Sequence, residues 1–304
     1  MLALNLVLVS QLAYAQGNEC STRTTVLTIM GPRGKDAASP IASLAPTDLR
    51  VRAGRKDVAV VSVVHRAAPL RIGVIVDIGV HQTKATWDRT RVIVHNFVSQ
   101  FPEEAEFSLV TFDDKVEDRF PLETRSHLDE RLATLLPSRL KESKTGLYEA
   151  LAAAIRAFGT VRPGDALLFV TAWEDSGSSD MQGAVAQWLS AAGVRLFGIS
   201  FDSSRLPGPP LPGTGVLLQS FTPVGALAHA SGGVWAITPA AVPGAEVLPQ
   251  FFAAVVLDFY TVVLKLTQPL AKTEALKIEF AKGASTSVKP RVVLSYPQAL
   301  YPCQ

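Results

Sequence analysis

From residue 71 onward the chain sets short, largely apolar runs between stretches whose apolar residues recur every three or four positions. Residues 71–76, 165–171 and 194–201 are such runs, and the spacing predicts helices over 87–101, 145–158 and 181–192. The first helix carries Ile93, Phe97 and Phe101 on one side; the second carries Leu147, Leu151, Ala154, Ile155 and Phe158. A strand buried on both faces reads as continuous apolar sequence, and its alternation with amphipathic helices specifies an α/β fold: a mostly parallel central sheet flanked by helices, in the manner of a Rossmann-like domain. Residues 106–112 and 116–122 read as a strand pair turning at Asp113-Asp114, hence antiparallel and at a sheet edge. A short helix begins at Ser126 with Leu128, Leu132 and Leu135 on one face, and a helix at 223–230, a strand at 234–237 and a helix at 246–256 complete the domain. Residues 203–215, rich in Pro and Gly, are a loop.

Both ends differ from this middle. Residues 24–30, 49–51 and 58–65 are strand-like with turn residues between them, and 259–266, 276–280 and 288–295 repeat that character. Neither flank has apolar residues enough for a core of its own, so the expected arrangement joins them in one small β unit. The expected domains are then a leader at 1–15, an N-terminal β flank at 20–66, the α/β domain at 67–257 and a C-terminal β flank at 258–304.

The leader is read from an apolar run closing on Ala13-Tyr14-Ala15 before Gln16, the small-x-small pattern of a secretory cleavage site, although no Lys or Arg precedes it. It places the protein outside the cytoplasm, secreted or periplasmic. Residues 247–266 are interrupted by Pro249, Asp258 and Lys265, so no transmembrane segment is expected. With 29 basic against 27 acidic residues in 304, the chain carries no field that would draw nucleic acid or an anionic membrane. Arg50, Arg52, Arg55 and Lys56 read as a solvated strand and turn. The only cysteines are Cys20 and Cys303, a spacing that excludes metal knuckles and Cys-x-x-Cys redox motifs. In an exported protein they suggest a bridge between the termini, the alternative being two unpaired thiols.

In an open α/β sheet, ligands bind beyond the carboxyl ends of the strands. Three loops should meet there. The first is Asp77-Ile78-Gly79-Val80-His81, the second Lys144-Thr145-Gly146-Leu147-Tyr148-Glu149-Ala150-Leu151, and the third Thr171-Ala172-Trp173-Glu174-Asp175. In these loops the chain resembles a von Willebrand factor type A domain, and its flanks (Ile41 to Leu49; Phe259-Tyr260 to Tyr296-Pro297) resemble those of the secreted acidobacterial members. The resemblance implies a Mg²⁺ adhesion site built from an Asp-x-Ser-x-Ser loop, a Thr on the second loop and an Asp on the third. Asp77 and Thr145 match; Gly79, His81 and Ala172 stand at the other positions, so the site is degenerate. Mg²⁺ demands near-octahedral oxygen coordination, and the expectation is therefore no cofactor, with weak divalent binding left open.

The expected function is a non-catalytic, exported protein-binding or adhesion module that uses this loop face, with Asp77, Gly79, His81, Thr145, Ala172, Trp173, Glu174 and Asp175 as the candidate surface and another protein as partner. Trp173 stands out because Trp is enriched where binding energy concentrates. Each retained residue also has a structural role open to it: Asp77 can accept backbone N–H bonds in its loop, Thr145 can cap its helix, and Trp173 can fill space. His81 with Asp77 and Glu174 or Asp175 could instead hold a zinc-like ion, since imidazole suits Zn²⁺. A hydrolase centred on Asp77 and His81, with Ser143 or Ser176 as nucleophile, and an inert spacer in an envelope assembly are the competing classes. No Gly-x-Ser-x-Gly elbow or His-Glu-x-x-His run supports the hydrolase.

Overall fold

The computed structural model describes residues 20–30, 44–66, 69–79, 82–137, 146–172, 182–201, 217–218, 222–238, 247–282, 284 and 293–303. The expected leader at 1–15 and the loop at 203–215 lie outside the described residues.

Strands β1 (Thr22–Met30), β2 (Leu49–Ala53) and β3 (Lys56–His65) precede β4 (Arg71–Asp77), β5 (Glu106–Phe112), β6 (Val116–Glu123), β7 (Ala166–Thr171) and β8 (Arg195–Ser200). They are followed by β9 (Leu217–Leu218), β10 (Val234–Ile237), β11 (Tyr260–Lys265), β12 (Glu274–Phe280), β13 (Val293–Ser295) and β14 (Ala299–Leu300). The α-helices are α1 (Lys84–Val98), α2 (Arg125–Thr134), α3 (Leu147–Ala157), α4 (Gln182–Ala192), α5 (Pro223–Ala230) and α6 (Val247–Leu257).

The central sheet runs β6-β5-β4-β7-β8-β10-β9. Its five inner strands are parallel, and β6 and β9 close the edges antiparallel, so the mostly parallel α/β sheet and the edge hairpin after β5 are as expected. Apolar side chains leave both faces. Val74 and Val76 pack with Ile93 and Phe97 of α1 and Phe252 of α6, while Ile75 and Phe169 pack with Leu151 and Ile155 of α3 and Leu189 of α4. The chain leaves β4 toward β5 and β6, then returns to lay β7, β8 and β10 on the other side. That reversal opens a crevice above β4 and β7, where such sheets take ligands.

Helix boundaries shifted where local hydrogen bonding overrode the apolar spacing. Helix α1 starts three residues before the expected Trp87, because Thr83 Oγ1 accepts the Thr86 N–H and caps it. Phe101 lies past its end but still packs edge-on against Phe97, which is why the stripe reads longer than the helix. Helix α2 is entered from Thr124 rather than Ser126, and the N-cap of α3 is Gly146 rather than Thr145.

The second sheet, β13-β1-β11-β3-β2-β12-β14, is antiparallel throughout and draws strands from both flanks. Leu27, Val51, Val262, Leu264 and Ile278 form its own core. Two strands, β9 and β14, are absent from the sequence reading because two residues carry no periodicity. Cys20 and Cys303, 283 residues apart, are disulfide-bonded with α-carbons 5.8 Å apart, which rules out the alternative of free thiols.

Arg195, fully buried, fastens the two sheets together. Its guanidinium donates to Thr28 Oγ1 of β1 at 3.1 Å and to the carbonyls of Val255 and Val256 at 3.0 Å each, and lies over the Phe259 ring. Those carbonyls end α6, where a cation also meets the negative pole of the helix. Burial pulls the Arg195 pKa down to about 9, which leaves the group charged at neutral pH. At the foot of the central sheet Arg71 Nε donates to Asp165 Oδ1 at 2.9 Å, and the same guanidinium reaches the carbonyls of Phe158 and Thr160. Among the described residues no helix is long and apolar enough to cross a membrane.

Candidate functional site

Parallel register carries three strand ends to one rim. Asp77 stands opposite Phe112, and Val76 opposite Val170, so Asp77, Asp113 and the Thr171-Ala172 pair emerge side by side at the crevice.

Asp77 is completely buried, and both its oxygens are engaged. Oδ1 accepts the Gly79 N–H at 2.8 Å; Oδ2 accepts the Thr171 hydroxyl at 2.7 Å and the Ala172 N–H at 3.1 Å. Its backbone carbonyl accepts Gln82 Nε2 at 2.8 Å, and the Gln82 N–H closes the turn onto the Gly79 carbonyl at 2.9 Å. Desolvation raises the Asp77 pKa; the three hydrogen bonds oppose that, and the nearby Asp113 charge adds to it.

In the sequence Asp113 stands only as half of the Asp113-Asp114 turn. It is 1% exposed, yet among the described residues neither carboxylate oxygen has a hydrogen-bond partner. Its backbone is firmly held, with Asp113 N–H donating to the Lys115 carbonyl and Gly146 N–H donating to the Asp113 carbonyl, each at 2.9 Å. A β-carbon placed on Gly79 would stand 2.9 Å from Asp113 Oδ1 and 3.0 Å from Asp77 Oδ1. The bare α-carbon of Gly79 is what lets the two carboxylates share one space. A signal for Asp113 was present: β4 ends on Asp77, β5 is followed directly by Asp113, and the parallel register that sets Asp77 opposite Phe112 leaves the two acids at neighbouring strand ends.

Of the expected surface, the structure brings together Asp77, Gly79 and Ala172. His81, Thr145, Trp173, Glu174 and Asp175 lie outside the described residues, as do Ser143 and Ser176. Among the described residues no group of three or more His, Cys, Asp or Glu side chains is placed to hold a metal ion.

Residues 72–207 match the family described as von Willebrand factor type A domain. That segment is a type A domain. The sheet of this type A domain continues past the matched segment through β10, and its core through α6. Members of the family commonly act as protein-interaction or adhesion modules. Among solved structures, an aerotolerance-related membrane protein from Bacteroides fragilis NCTC 9343 carrying multiple mutations to serines is 14% identical, with 62% of this chain and 98% of that one covered at a TM-score of 0.45. A conserved hypothetical protein, BatB, from Bacteroides thetaiotaomicron is 16% identical, with 60% and 96% covered at 0.43. A von Willebrand factor type A protein from Catenulispora acidiphila is 11% identical, with 94% and 74% covered at 0.45. No curated protein matches the chain at a significant level.

The Mg²⁺ that the type A family implies does not fit the donors described at this rim. Gly79 brings no side-chain oxygen, and the space beside it is taken by Asp113 Oδ1. Ala172 turns an N–H donor toward Asp77 at the position where the family pattern has a carboxylate. Asp77 itself is spent on three protein donors. A hard ion that loses its water reluctantly needs a nearly complete oxygen octahedron, which these residues do not form.

Proposed function

We propose that this chain is an exported, non-catalytic protein-binding module that uses the loop face above the central sheet and does so without the Mg²⁺ of the family's adhesion site. The observation that carries the reading is the state of Asp77: its oxygens bind Gly79, Thr171 and Ala172, so the first and third loops are locked to each other by hydrogen bonds rather than through an ion. A rigid sheet presenting pre-set loops is the usual platform for recognition. The binding face comprises Asp77, Gly79, His81, Thr145, Ala172, Trp173, Glu174 and Asp175, with Trp173 as its anchor and another protein as partner. The domain extends over 67–257, with 20–66 and 258–304 forming a β unit that supports it. The terminal disulfide favours a compartment outside the cytoplasm, secreted or periplasmic, in keeping with removal of a leader at 1–15.

The burial of Asp77 argues against the hydrolase reading, because a general base must reach the proton it removes, and this carboxylate is sealed beneath the rim. The test is affinity capture from native envelope material, wild type beside Trp173→Ala, in buffers with and without added Mg²⁺. One specific protein retained by wild type in both buffers and lost with Trp173→Ala supports the reading. Capture that requires Mg²⁺, or that is indifferent to Trp173, contradicts it.

A further inference from the structure

Taken whole, the chain is nearly neutral, and 29 bases against 27 acids give no reason to expect attraction to an anionic surface. The fold divides that charge. The two flanks that build the second sheet, 20–66 and 258–304, hold 14 Lys and Arg against 6 Asp and Glu, whereas 67–257 hold 15 against 20. A field depends on where charges stand, so the average over the chain conceals a basic β unit joined to an acidic α/β domain.

Side chains alternate along a strand, and Val51, Val58, Val262, Leu264 and Ile278 turn into the core of the second sheet. Their neighbours Arg50, Arg52, Ala59, Val263, Lys265 and Lys277 therefore turn to its outer face. Val61 is the extra residue of a bulge, since Leu264 pairs with Val60 and Val263 with Ser62, and it is 57% exposed. Val64, opposite Thr261 on the same outer face, is 47% exposed. Isolated exposed valines are ordinary, but these two lie together on β3 with cations on either side. Arg55 and Lys56 in the β2–β3 turn, and Lys272 ahead of β12, are exposed as well. The acids on this face, Asp57 and Glu279, are already shared: Asp57 with Arg50 at 3.4 Å, and Glu279 with Arg52 at 3.5 Å and Lys277 at 2.7 Å. Exposed pairs of this kind are weak, so the cations stay open to competing anions.

We infer that this outer face docks on an anionic lipid bilayer, with Val61 and Val64 set into the headgroup boundary and the surrounding cations on lipid phosphates. Charge complementarity selects an anionic partner. The exposed valines select one with an apolar layer beneath its charge, which a soluble polyanion lacks. The β unit meets the foot of the central sheet, where Arg195 joins them, and the rim lies at the other end of those strands, so docking here leaves the loop face free. The inference does not depend on what that face binds: its test turns on the β unit, and that of the binding role on Trp173.

The experiment is cosedimentation of the exported protein with vesicles of phosphatidylcholine containing phosphatidylglycerol and with vesicles of phosphatidylcholine alone, beside retention on immobilised dextran sulfate. The mixed vesicles should bind the protein, and binding should be lost on the neutral ones and as salt rises from about 0.1 M to about 1 M, where the screening length falls from ~10 to ~3 Å. Each Lys or Arg near an anionic bilayer is worth about a fivefold gain, so Arg55→Glu with Lys56→Glu should weaken binding about tenfold or more. Val61→Thr with Val64→Thr, which keeps the side chains β-branched, should weaken vesicle binding about threefold or more and leave retention on dextran sulfate unchanged. All four side chains are exposed or in a turn, and an unchanged Tm checks the fold of each variant; should the valine pair fail to fold, Arg55→Glu with Lys56→Glu decides. Failure to bind the mixed vesicles, or binding indifferent to the charge reversals, overturns the inference. Valine substitutions that fold but leave vesicle binding unchanged also overturn it and mark the face as a polyanion site.

Discussion

Thr171 and Asp77 lie 94 residues apart in sequence, and the Thr171 hydroxyl donates to Asp77 Oδ2 across 2.7 Å with both side chains fully buried. With the Ala172 N–H on the same oxygen and the Gly79 N–H on the other, one carboxylate organises two strand ends. Asp77→Ala strands these donors in a dry site, and each unpaired buried donor costs about 1–3 kcal/mol. We expect Asp77→Ala to lower the unfolding free energy by about 2–4 kcal/mol. Asp77→Asn, which still accepts two of the bonds, should lose clearly less in urea unfolding; equal losses would show that the hydrogen bonds are not what matters.

Arg195 is a buried link between the two sheets. Replacing it with Met keeps most of the apolar stem but leaves the last carbonyls of α6 and the hydroxyl of Thr28 unsatisfied. The predicted cost is about 2–4 kcal/mol, with faster amide hydrogen exchange concentrated in β1 and the end of α6. Uniform acceleration across the chain would argue against a specific junction.

Much of the fold was legible because burial on both faces writes itself as near-continuous apolar sequence, as in β4, β7 and β8, and one-sided burial as the stripe of α3. The rim was half legible. Asp77 is marked by position at the end of such a strand. The partners that satisfy it, the Thr171 hydroxyl and two backbone N–H groups, are set by register, which no local pattern encodes. Asp113 carries no such mark, because Asp-Asp before a second strand is also ordinary turn chemistry. The helix limits failed at Thr83 and Gly146, where capping geometry decides and side-chain periodicity is silent.

Gly198 shows the same limit. A side chain there would enter the buried ring of Trp235 on the neighbouring strand β10, so glycine is required by a contact between strands and not by a turn. Overpacking costs about 1–3 kcal/mol, and Gly198→Ala should fall at the upper end, measured as a lower midpoint of chemical unfolding with an unchanged slope. Gly159→Ala would be no fair control, because its φ of 64° strains any side chain; Gly183, with open space around it, is the proper one.

The disulfide closes almost the whole chain. In the chain-entropy account a loop of 283 residues is worth on the order of 5 kcal/mol at most, with measured effects often smaller. Cys20→Ser with Cys303→Ser should lower Tm without changing the far-ultraviolet circular dichroism, and a non-reduced digest of the exported protein should yield the Cys20–Cys303 peptide. Recovery of both thiols free would contradict the pairing.

The central claim, that this type A domain works without the family's Mg²⁺, is tested most directly by calorimetric titration of the metal-free protein with MgCl₂. Gly79 and Ala172 supply no side-chain oxygen and Asp77 is occupied by protein donors, so we predict no saturable binding at micromolar concentrations. Saturable micromolar Mg²⁺ binding that Asp77→Ala abolishes would contradict the account.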